Sequence, residues 1–286
     1  MATKKTSNQV YLKKLREVQI EIMDYVFDFC KKHDLKIMLY GGTCLGAIRH
    51  KGYIPWDDDV DLAMPRADYD KFIEIWKDTD KYQLDCCETN TDYWLPFLKI
   101  RNKKTKFIEG GIQENYKGPT GIWVDIMPFD NGSANFDELD RIKYKKQLYT
   151  ELIIRKSSIG IDFDGGIKNK VKDVIAKITP RKFLVKKLHD NCAQNKDENS
   201  PNLICYHNRR DVRERTWPRE SVFPLKKAEF EGKKYPVPND CKVFLSHIYG
   251  DDYMQLPPLE QRKTHHPACV EFEDGTSIDF SKEESD

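Results

Sequence analysis

The chain has 286 residues, with 48 Lys and Arg against 47 Asp and Glu and a formal net charge of +1. This balance excludes the overall positive field by which many nucleic-acid-binding proteins attract their partners. No stretch approaches the roughly 18 apolar residues of a membrane span, and the eight cysteines form no C-x-x-C pair, which favours reduced thiols. We expect a cytoplasmic protein with no nucleic-acid partner and no membrane span, free to touch the inner face of the cell membrane peripherally.

The first part of the chain mixes helix and strand patterns. Apolar residues at helical spacing predict an amphipathic helix over residues 10–33, and a short buried strand over 36–40 leads into Gly41, Gly42 and a short helix over 43–50. Further elements are predicted in this order: a strand at 60–64, a helix at 67–76, and strands at 82–86, 94–101, 106–109 and 121–127. These patterns predict an α+β core.

The rest of the chain changes character twice. Residues 136–200 carry Leu, Ile and Lys at helical spacing, and the chain beyond them is rich in proline and aromatic residues, with a last helix over 240–249. We therefore expect a catalytic core at 1–135, a helical lobe at 136–200, and a C-terminal segment at 201–286 that completes the active-site cleft.

Four aspartates lie within five residues in Trp56-Asp57-Asp58-Asp59-Val60-Asp61. Because these carboxylates repel one another, a cation is expected among them. Side chains alternate along a strand, so an extended segment would place Asp57, Asp59 and Asp61 on one face. We predict that Asp59 and Asp61 bind Mg²⁺ or Mn²⁺, while a solvated acidic turn is the structural alternative.

A lone aspartate, Asp125, stands in the apolar segment Trp123-Val124-Asp125-Ile126-Met127. A buried carboxylate needs a metal ion, a cation or hydrogen bonds to offset its desolvation. We predict that Asp125 is a third catalytic carboxylate and metal ligand beside Asp59 and Asp61, in a site able to clamp a phosphoryl group. A salt bridge is the alternative, and the choice between metal ligand and general base stays open at this point.

Several further side chains are candidates for binding an anionic substrate. Gly41, Gly42 and Thr43 stand between a strand and a helix start, where backbone N–H groups bind phosphate. The cations near this turn are Arg49, Lys99 and Arg101, although the last two also fit the outer face of a strand. His265 and His266 lie in a polar loop and are either donor ligands or ordinary surface residues.

Two Cys and His pairs have a weak zinc-ligand pattern. They are His189 with Cys192 and Cys205 with His207. Their flanking residues fit a helix end and a strand equally well, so a structural role without zinc is the alternative. The arginines around residues 209–215 are interpreted as a solvated charged face.

The order of these motifs resembles the LicD family of phosphocholine transferases, whose eukaryotic relatives include fukutin and fukutin-related protein. The resemblance is carried by Gly-Gly-Thr-x-Leu-Gly, Ile-Pro-Trp-Asp-Asp-Asp-Val-Asp and Val-Asp-Ile-x-Pro, and it continues through Tyr-Gly-Asp-Asp-Tyr-Met to His-His. It implies a DNA-polymerase-β-like nucleotidyltransferase fold with a mixed sheet and an added helical lobe. It also implies that Asp59, Asp61 and Asp125 bind metal and that Gly41, Gly42 and Thr43 cradle the donor phosphates.

The resemblance further implies the reaction. A CDP-activated alcohol, typically CDP-choline, would donate its phospho-alcohol to a hydroxyl of a glycan, with release of CMP. The acceptor would be a polysaccharide, teichoic acid or lipopolysaccharide precursor, including a lipid-linked one. Two other functions stay open: nucleotidyl transfer to a sugar or drug hydroxyl, and glycan binding without catalysis.

Overall fold

The computed structural model describes residues 2–109, 116–159, 161, 163–207, 210–262, 264 and 267–280, with side chains from residue 10 onward. Eight α-helices lie in these ranges: α1 (Ala2–Lys32), α2 (Gly41–His50), α3 (Arg66–Ile75), α4 (Phe136–Ile154), α5 (Ile167–Ile178), α6 (Arg181–Cys192), α7 (Arg219–Val222) and α8 (Cys241–Tyr249). The strands are β1 (Met38–Leu39), β2 (Asp61–Pro65), β3 (Tyr82–Asp85), β4 (Leu98–Asn102), β5 (Lys106–Glu109), β6 (Trp123–Gly132), β7 (Asn202–Ile204), β8 (Thr216–Pro218), β9 (Lys226–Phe230), β10 (Lys233–Val237), β11 (Pro267–Glu271) and β12 (Ser277–Asp279).

The central sheet has the order β1-β2-β6-β4-β3 and is mixed. Strands β2 and β6 run parallel, while β1, β4 and β3 are antiparallel to their neighbours. The second half of β6 pairs with β7, which pairs in turn with β8. This long strand therefore joins the core sheet to the C-terminal part of the chain.

Two apolar clusters stabilise the described part of the chain. The larger one packs one side of α1 against the central sheet, α2 and α8, with Leu15, Ile22 and Val26 from α1 almost fully buried. The smaller one lies among α4, α5 and α6, where Leu139 and Leu188 are buried. The expected α+β class and the helical region are confirmed, whereas the division at residues 135 and 200 stays a prediction.

Every helix of the described ranges is too short or too polar to pass through a lipid bilayer.

Some element boundaries differ from the sequence prediction. The strand expected over 94–101 begins only at Leu98, because Pro96 has no N–H group to donate to a sheet ladder. The short helix begins at Gly41 rather than at Thr43. Strands β11 and β12, which form a three-stranded sheet with β5, were not predicted. The pairing of β11 with β5 joins residues more than 150 positions apart, which local periodicity does not reveal.

Candidate active site

A row of charged side chains crosses the middle of the central sheet. Asp61 on β2 is paired in register with Asp125 on β6, Asp125 with Lys99 on β4, and Lys99 with Asp85 on β3. Residues that face one another on adjacent strands point to the same side of a sheet. The sheet register thus brings together Asp61, Asp125 and Lys99, three of the predicted site residues.

Asp125 is 8% exposed and forms an ion pair with Lys99, whose Nζ lies 2.8 Å from Oδ1 of Asp125. This oxygen is buried, and no described residue gives it an aligned hydrogen bond. Lys99 is itself buried, and its ammonium lies 3.9 Å from the centroid of the Trp123 ring. Lys99 is therefore not on the outer face of a strand; its charge is held inside the site against a carboxylate and an aromatic ring.

Asp61 carries the most strongly perturbed carboxyl group of the row. It is only partly exposed, and burial raises its pKa well above the usual value. The charges of Asp59, Asp125 and Asp57 raise this pKa further, and Lys99 opposes them. The carboxylates of Asp59 and Asp125 therefore lie close enough to Asp61 to raise its pKa.

The prediction that Asp57, Asp59 and Asp61 lie on one face of a strand is wrong. Strand β2 begins at Asp61, so Asp57, Asp58 and Asp59 lie in the preceding loop rather than on one face of a strand. Asp58 is buried at 3% exposure. Since Asp57 and Asp59 act on the pKa of Asp61, the loop places their carboxylates near Asp61 without the help of a strand.

Residues of α1 hold this aspartate loop, and sequence reasoning missed them. The Arg16 guanidinium donates hydrogen bonds to the carbonyl oxygens of Ile54 and Asp57, with Nη2 3.0 and 2.7 Å away. Gln19 donates through Nε2 to the Asp58 carbonyl at 2.8 Å. The sequence did contain a signal for Arg16 and Gln19. Both are polar residues on the face of α1 that was expected to pack on the sheet.

The glycine turn lies directly against these carboxylates. A Cβ on Gly41 would lie 2.7 Å from Oδ2 of Asp61, and a Cβ on Gly42 would lie 2.7 Å from Oδ2 of Asp57. Gly41 also has a φ of +50°, which side chains rarely adopt. Thr43 accepts a hydrogen bond from the Asp61 N–H through Oγ1 at 2.9 Å. The glycines thus make room for two carboxylates at the N-terminus of α2.

Two residues of the C-terminal segment complete this side of the site. The hydroxyl of Tyr249 lies 4.0 Å from the Cβ position of Gly42. Burial raises the pKa of Tyr249, and the charges of Asp61, Asp57 and Asp59 raise it further. The tyrosine belongs to the Tyr-Gly-Asp-Asp-Tyr-Met motif, but no role had been assigned to it.

Arg215 is the second such residue. The interpretation of residues 209–215 as a solvated face agrees with Arg210 and Arg213, whose side chains are exposed, but it is wrong for Arg215. Arg215 is 6% exposed, and its Nε has no hydrogen-bond partner among the described residues. Its carbonyl accepts the N–H of Cys205 at 3.0 Å, which extends the β7–β8 ladder by one residue. The charge of Arg215 acts on both Tyr249 and His207. Burial, with Arg215 and two further cations, lowers the pKa of His207 to about 3.

Two of the remaining predicted ligands, Arg101 and Arg49, have partners within the protein. Arg101 is 1% exposed and bound to Asp85, with Nε 2.8 Å from Oδ2, so its charge is already paired beside the row. Arg49 donates through Nη1 to the carbonyl of Tyr253 at 2.7 Å and ties α2 to the loop after α8. His265 and His266 lie outside the described residues.

The two Cys and His pairs make different contacts. His189 contacts Asp70, with Nε2 3.0 Å from Oδ1, and this bond raises the pKa of His189. Cys205 contacts His207, with Sγ 3.2 Å from Nδ1. Within the ranges that the structure covers, no three His, Cys, Asp or Glu side chains form a ready-made metal site. The zinc hypothesis therefore receives no support.

Comparisons with known proteins identify the family. A family model described as LicD/FKTN/FKRP, nucleotidyltransferase domain, matches residues 34–158. The chain is 31% identical over 264 residues to the lipopolysaccharide cholinephosphotransferase LicD of Haemophilus influenzae, an alignment that covers 88% of this chain and 96% of that protein. The chain belongs to the LicD family. An uncharacterized protein of Rickettsia prowazekii is 24% identical to this LicD-family chain over 176 residues, 54% of this chain and 64% of that protein.

Membership of the LicD family confirms the resemblance seen in the sequence and the expectation of a LicD-type enzyme. The matched domain contains the glycine turn, the aspartate loop, Lys99 and Asp125. Arg16, Gln19, Arg215 and Tyr249 lie outside it, so this LicD-family chain holds its charged row with residues from both flanks of the domain.

The donor atoms of this LicD-family site fit a hard divalent cation. Asp61 has a raised pKa among carboxylates, and Asp125 has a buried oxygen without an aligned hydrogen bond. A cation between them would favour their ionised forms. Mg²⁺ usually takes only one or two carboxylates and fills its other positions with water and substrate phosphates. The lack of a ready-made three-ligand group among the described residues is therefore compatible with such a site.

Proposed function

We propose that this protein transfers phosphocholine from CDP-choline to a hydroxyl of a glycan and releases CMP. A lipopolysaccharide precursor is the first acceptor class to test, because the Haemophilus influenzae relative is named a lipopolysaccharide cholinephosphotransferase. We place the reaction in the cytoplasm, on a core of the DNA-polymerase-β-like nucleotidyltransferase type. The mixed sheet, with its carboxylates beside a glycine turn, supports that fold proposal.

One observation carries the proposal more than any other. Asp61, Asp125 and Lys99 form a continuous row on three paired strands, and the N-terminus of α2 lies against Asp61. The first N–H groups of a helix have no acceptor within that helix, and the helix dipole favours an anion there. A donor diphosphate at this place would meet backbone N–H groups, buried cations and carboxylates together.

The chemistry is a displacement at phosphorus. The oxygen of the acceptor hydroxyl forms a bond to the phosphorus that carries choline, and the bond from that phosphorus to the bridging oxygen breaks. The bridging oxygen leaves with CMP, and the hydroxyl proton passes to a carboxylate, for which Asp125 is the candidate. We propose that Asp59, Asp61 and Asp125 hold Mg²⁺ or Mn²⁺, which when bound would offset the phosphate charge.

The chain's own cations have separate roles in this scheme. Lys99 lies beside Asp125 and would stabilise negative charge that develops during transfer. Arg215 is buried, its charge acts on Tyr249 beside the glycine turn, and its Nε has no hydrogen bond to any described residue, so we assign it to a phosphate oxygen of the donor. Arg16 and Gln19 act indirectly, because they position the loop that carries Asp57 and Asp59.

The test begins with thermal stabilisation of the purified protein by CDP-choline, CDP-ethanolamine, CDP-glycerol, CDP-ribitol, CMP and ATP, each with and without Mg²⁺. A ligand at about 100 times its Kd stabilises the folded state by about 2.7 kcal/mol. We expect a metal-dependent shift with CDP-choline, followed by CMP release when a glycan acceptor is added. Stabilisation by ATP alone with release of pyrophosphate would indicate nucleotidyl transfer, and no shift with any nucleotide would indicate glycan binding without catalysis.

A further inference from the structure

Helix α5 has its apolar face turned toward solvent. Its exposed apolar residues are Ile167 (82% exposed), Val171 (53%), Val174 (60%), Ile175 (39%) and Ile178 (73%). At about 100° of rotation per residue, these five side chains fall within an arc of about 100°. They form one continuous stripe along the full length of the helix, which we call the α5 stripe.

The inner side of the same helix is polar or small. Ala176 is the buried residue of α5, and Asn169 and Lys172 are half-buried on the same side. Lys172 pairs with Glu151 of α4, with Nζ 2.7 Å from Oε2, and Asp173 pairs with Arg155. Polar contacts therefore fix α5 to α4 with the α5 stripe facing away from the protein. A surface helix normally turns its apolar side inward.

Positive charge surrounds the α5 stripe. Between residues 167 and 192, helices α5 and α6 carry eight Lys and Arg and two Asp, whereas the whole chain has a net charge of only +1. On α5, Lys168 lies on one flank of the stripe, and Lys170 and Lys177 lie on the other; all three are exposed. Phe183, at the start of α6, adds an aromatic ring that is 51% exposed.

We propose that the α5 stripe and its flanking lysines dock this protein on an anionic membrane surface. The helix would lie in the plane of the interface, with its apolar side chains among the acyl chains and its lysines at the acidic headgroups. Charge complementarity selects this occupant, because an interface between two copies would bring the same lysines together. Docking of this kind holds an enzyme next to acceptors that are linked to lipid.

The experiment is flotation of the full-length protein with phosphatidylcholine vesicles, with and without phosphatidylglycerol, at low and high salt. We expect binding to the vesicles that contain phosphatidylglycerol, and loss of that binding at high salt. The double variant Val174→Glu/Ile178→Glu should bind these vesicles at least about tenfold more weakly. Val10→Glu, which introduces one glutamate at an exposed valine of α1, is the control for the type of substitution and should bind as the unchanged protein does.

Other results would overturn the proposal. The first is that the protein binds neither kind of vesicle. The second is that the double variant and the control bind the vesicles equally well. Self-association that needs Val174 and Ile178, without vesicle binding, would assign the stripe to a second copy. The exposed positions should tolerate glutamate, and circular dichroism checks the fold. Because neither donor nor acceptor is present in the assay, its outcome is independent of the proposed transfer reaction.

Discussion

The charged row of the sheet and the α5 stripe place their side chains in opposite environments. Asp125 and Lys99 are charged groups kept from water, whereas Ile167 and Ile178 are apolar groups kept in water. Burying a charged group raises the free energy of the folded state only, so other parts of the fold must offset it. An exposed isoleucine is exposed in the unfolded chain too and changes the free energy of unfolding little. Substitutions in the row should therefore alter activity and stability, and those in the stripe should alter neither.

The largest expected effect is on catalysis by the row. Asp61→Asn keeps the shape of the side chain and removes its charge, so we expect transfer activity to fall by at least about 100-fold. Asp80→Asn, at an exposed carboxylate, is the matched control and should keep full activity. Steady-state release of CMP measures both variants. Turnover near that of the unchanged protein in Asp61→Asn would remove this residue from the mechanism.

Arg215 should affect donor binding. Arg215→Met removes a buried guanidinium of similar length, and we expect the KM for the donor to rise about tenfold or more, about 1.4 kcal/mol for each factor of ten. Stability should not fall, since a buried charge without a paired acid is costly. Arg215→Lys should recover part of the affinity. An unchanged KM in the methionine variant would contradict the assignment.

Gly42→Ala tests the close approach between the glycine turn and the aspartate loop. The new Cβ would lie 2.7 Å from Oδ2 of Asp57, so the loop must shift, and we expect activity to fall about tenfold. Alanine favours a helix by about 1 kcal/mol over glycine, so stability should hold. Gly165→Ala, which meets nothing within 4 Å, is the control, and equal activity in the two variants would refute the packing argument.

The raised pKa of Asp61 makes a prediction about stability and pH in metal-free protein. A carboxyl group whose folded pKa lies above its unfolded value stabilises the fold when protonated, and this contribution is lost as the pH rises through the folded pKa. Asp61→Asn should therefore raise the Tm at neutral pH by roughly 2–4 °C, the effect of about 1 kcal/mol. The gain should shrink as the pH falls toward the unfolded pKa of aspartate. A lower Tm at neutral pH would contradict this account.

The smallest effect is expected in the α5 stripe. Val174→Glu should change the free energy of unfolding by no more than about 0.5 kcal/mol, because the side chain is in water before and after the change. Ala176→Glu, two residues along the same helix, would bury a charge and should destabilise the protein by about 2 kcal/mol or more. Urea unfolding compares the pair. An equal loss in the free energy of unfolding for the two variants would mean that the α5 stripe packs against protein in solution.

The helices and strands were predictable where one local pattern dominates. The periodicity of α4, α5 and α6 and the strand Lys106–Glu109 agree with the sequence prediction. The order of glycine turn, aspartate cluster and lone aspartate pointed to the site because glycine pairs and crowded carboxylates have few structural uses. The α5 stripe escaped notice because periodicity marks an apolar face without saying which way it points.

The sequence by itself determined the family and the residue types of the site, because these depend on motif order and side-chain chemistry. Only the tertiary structure decided which residues meet. The parallel pairing of β2 with β6 places Asp61 beside Asp125, a contact between residues 64 positions apart. The same is true of Arg16 and Tyr249, which reach the aspartate loop and the glycine turn from distant parts of the chain. Such contacts follow from sheet register and helix packing, which local patterns do not specify.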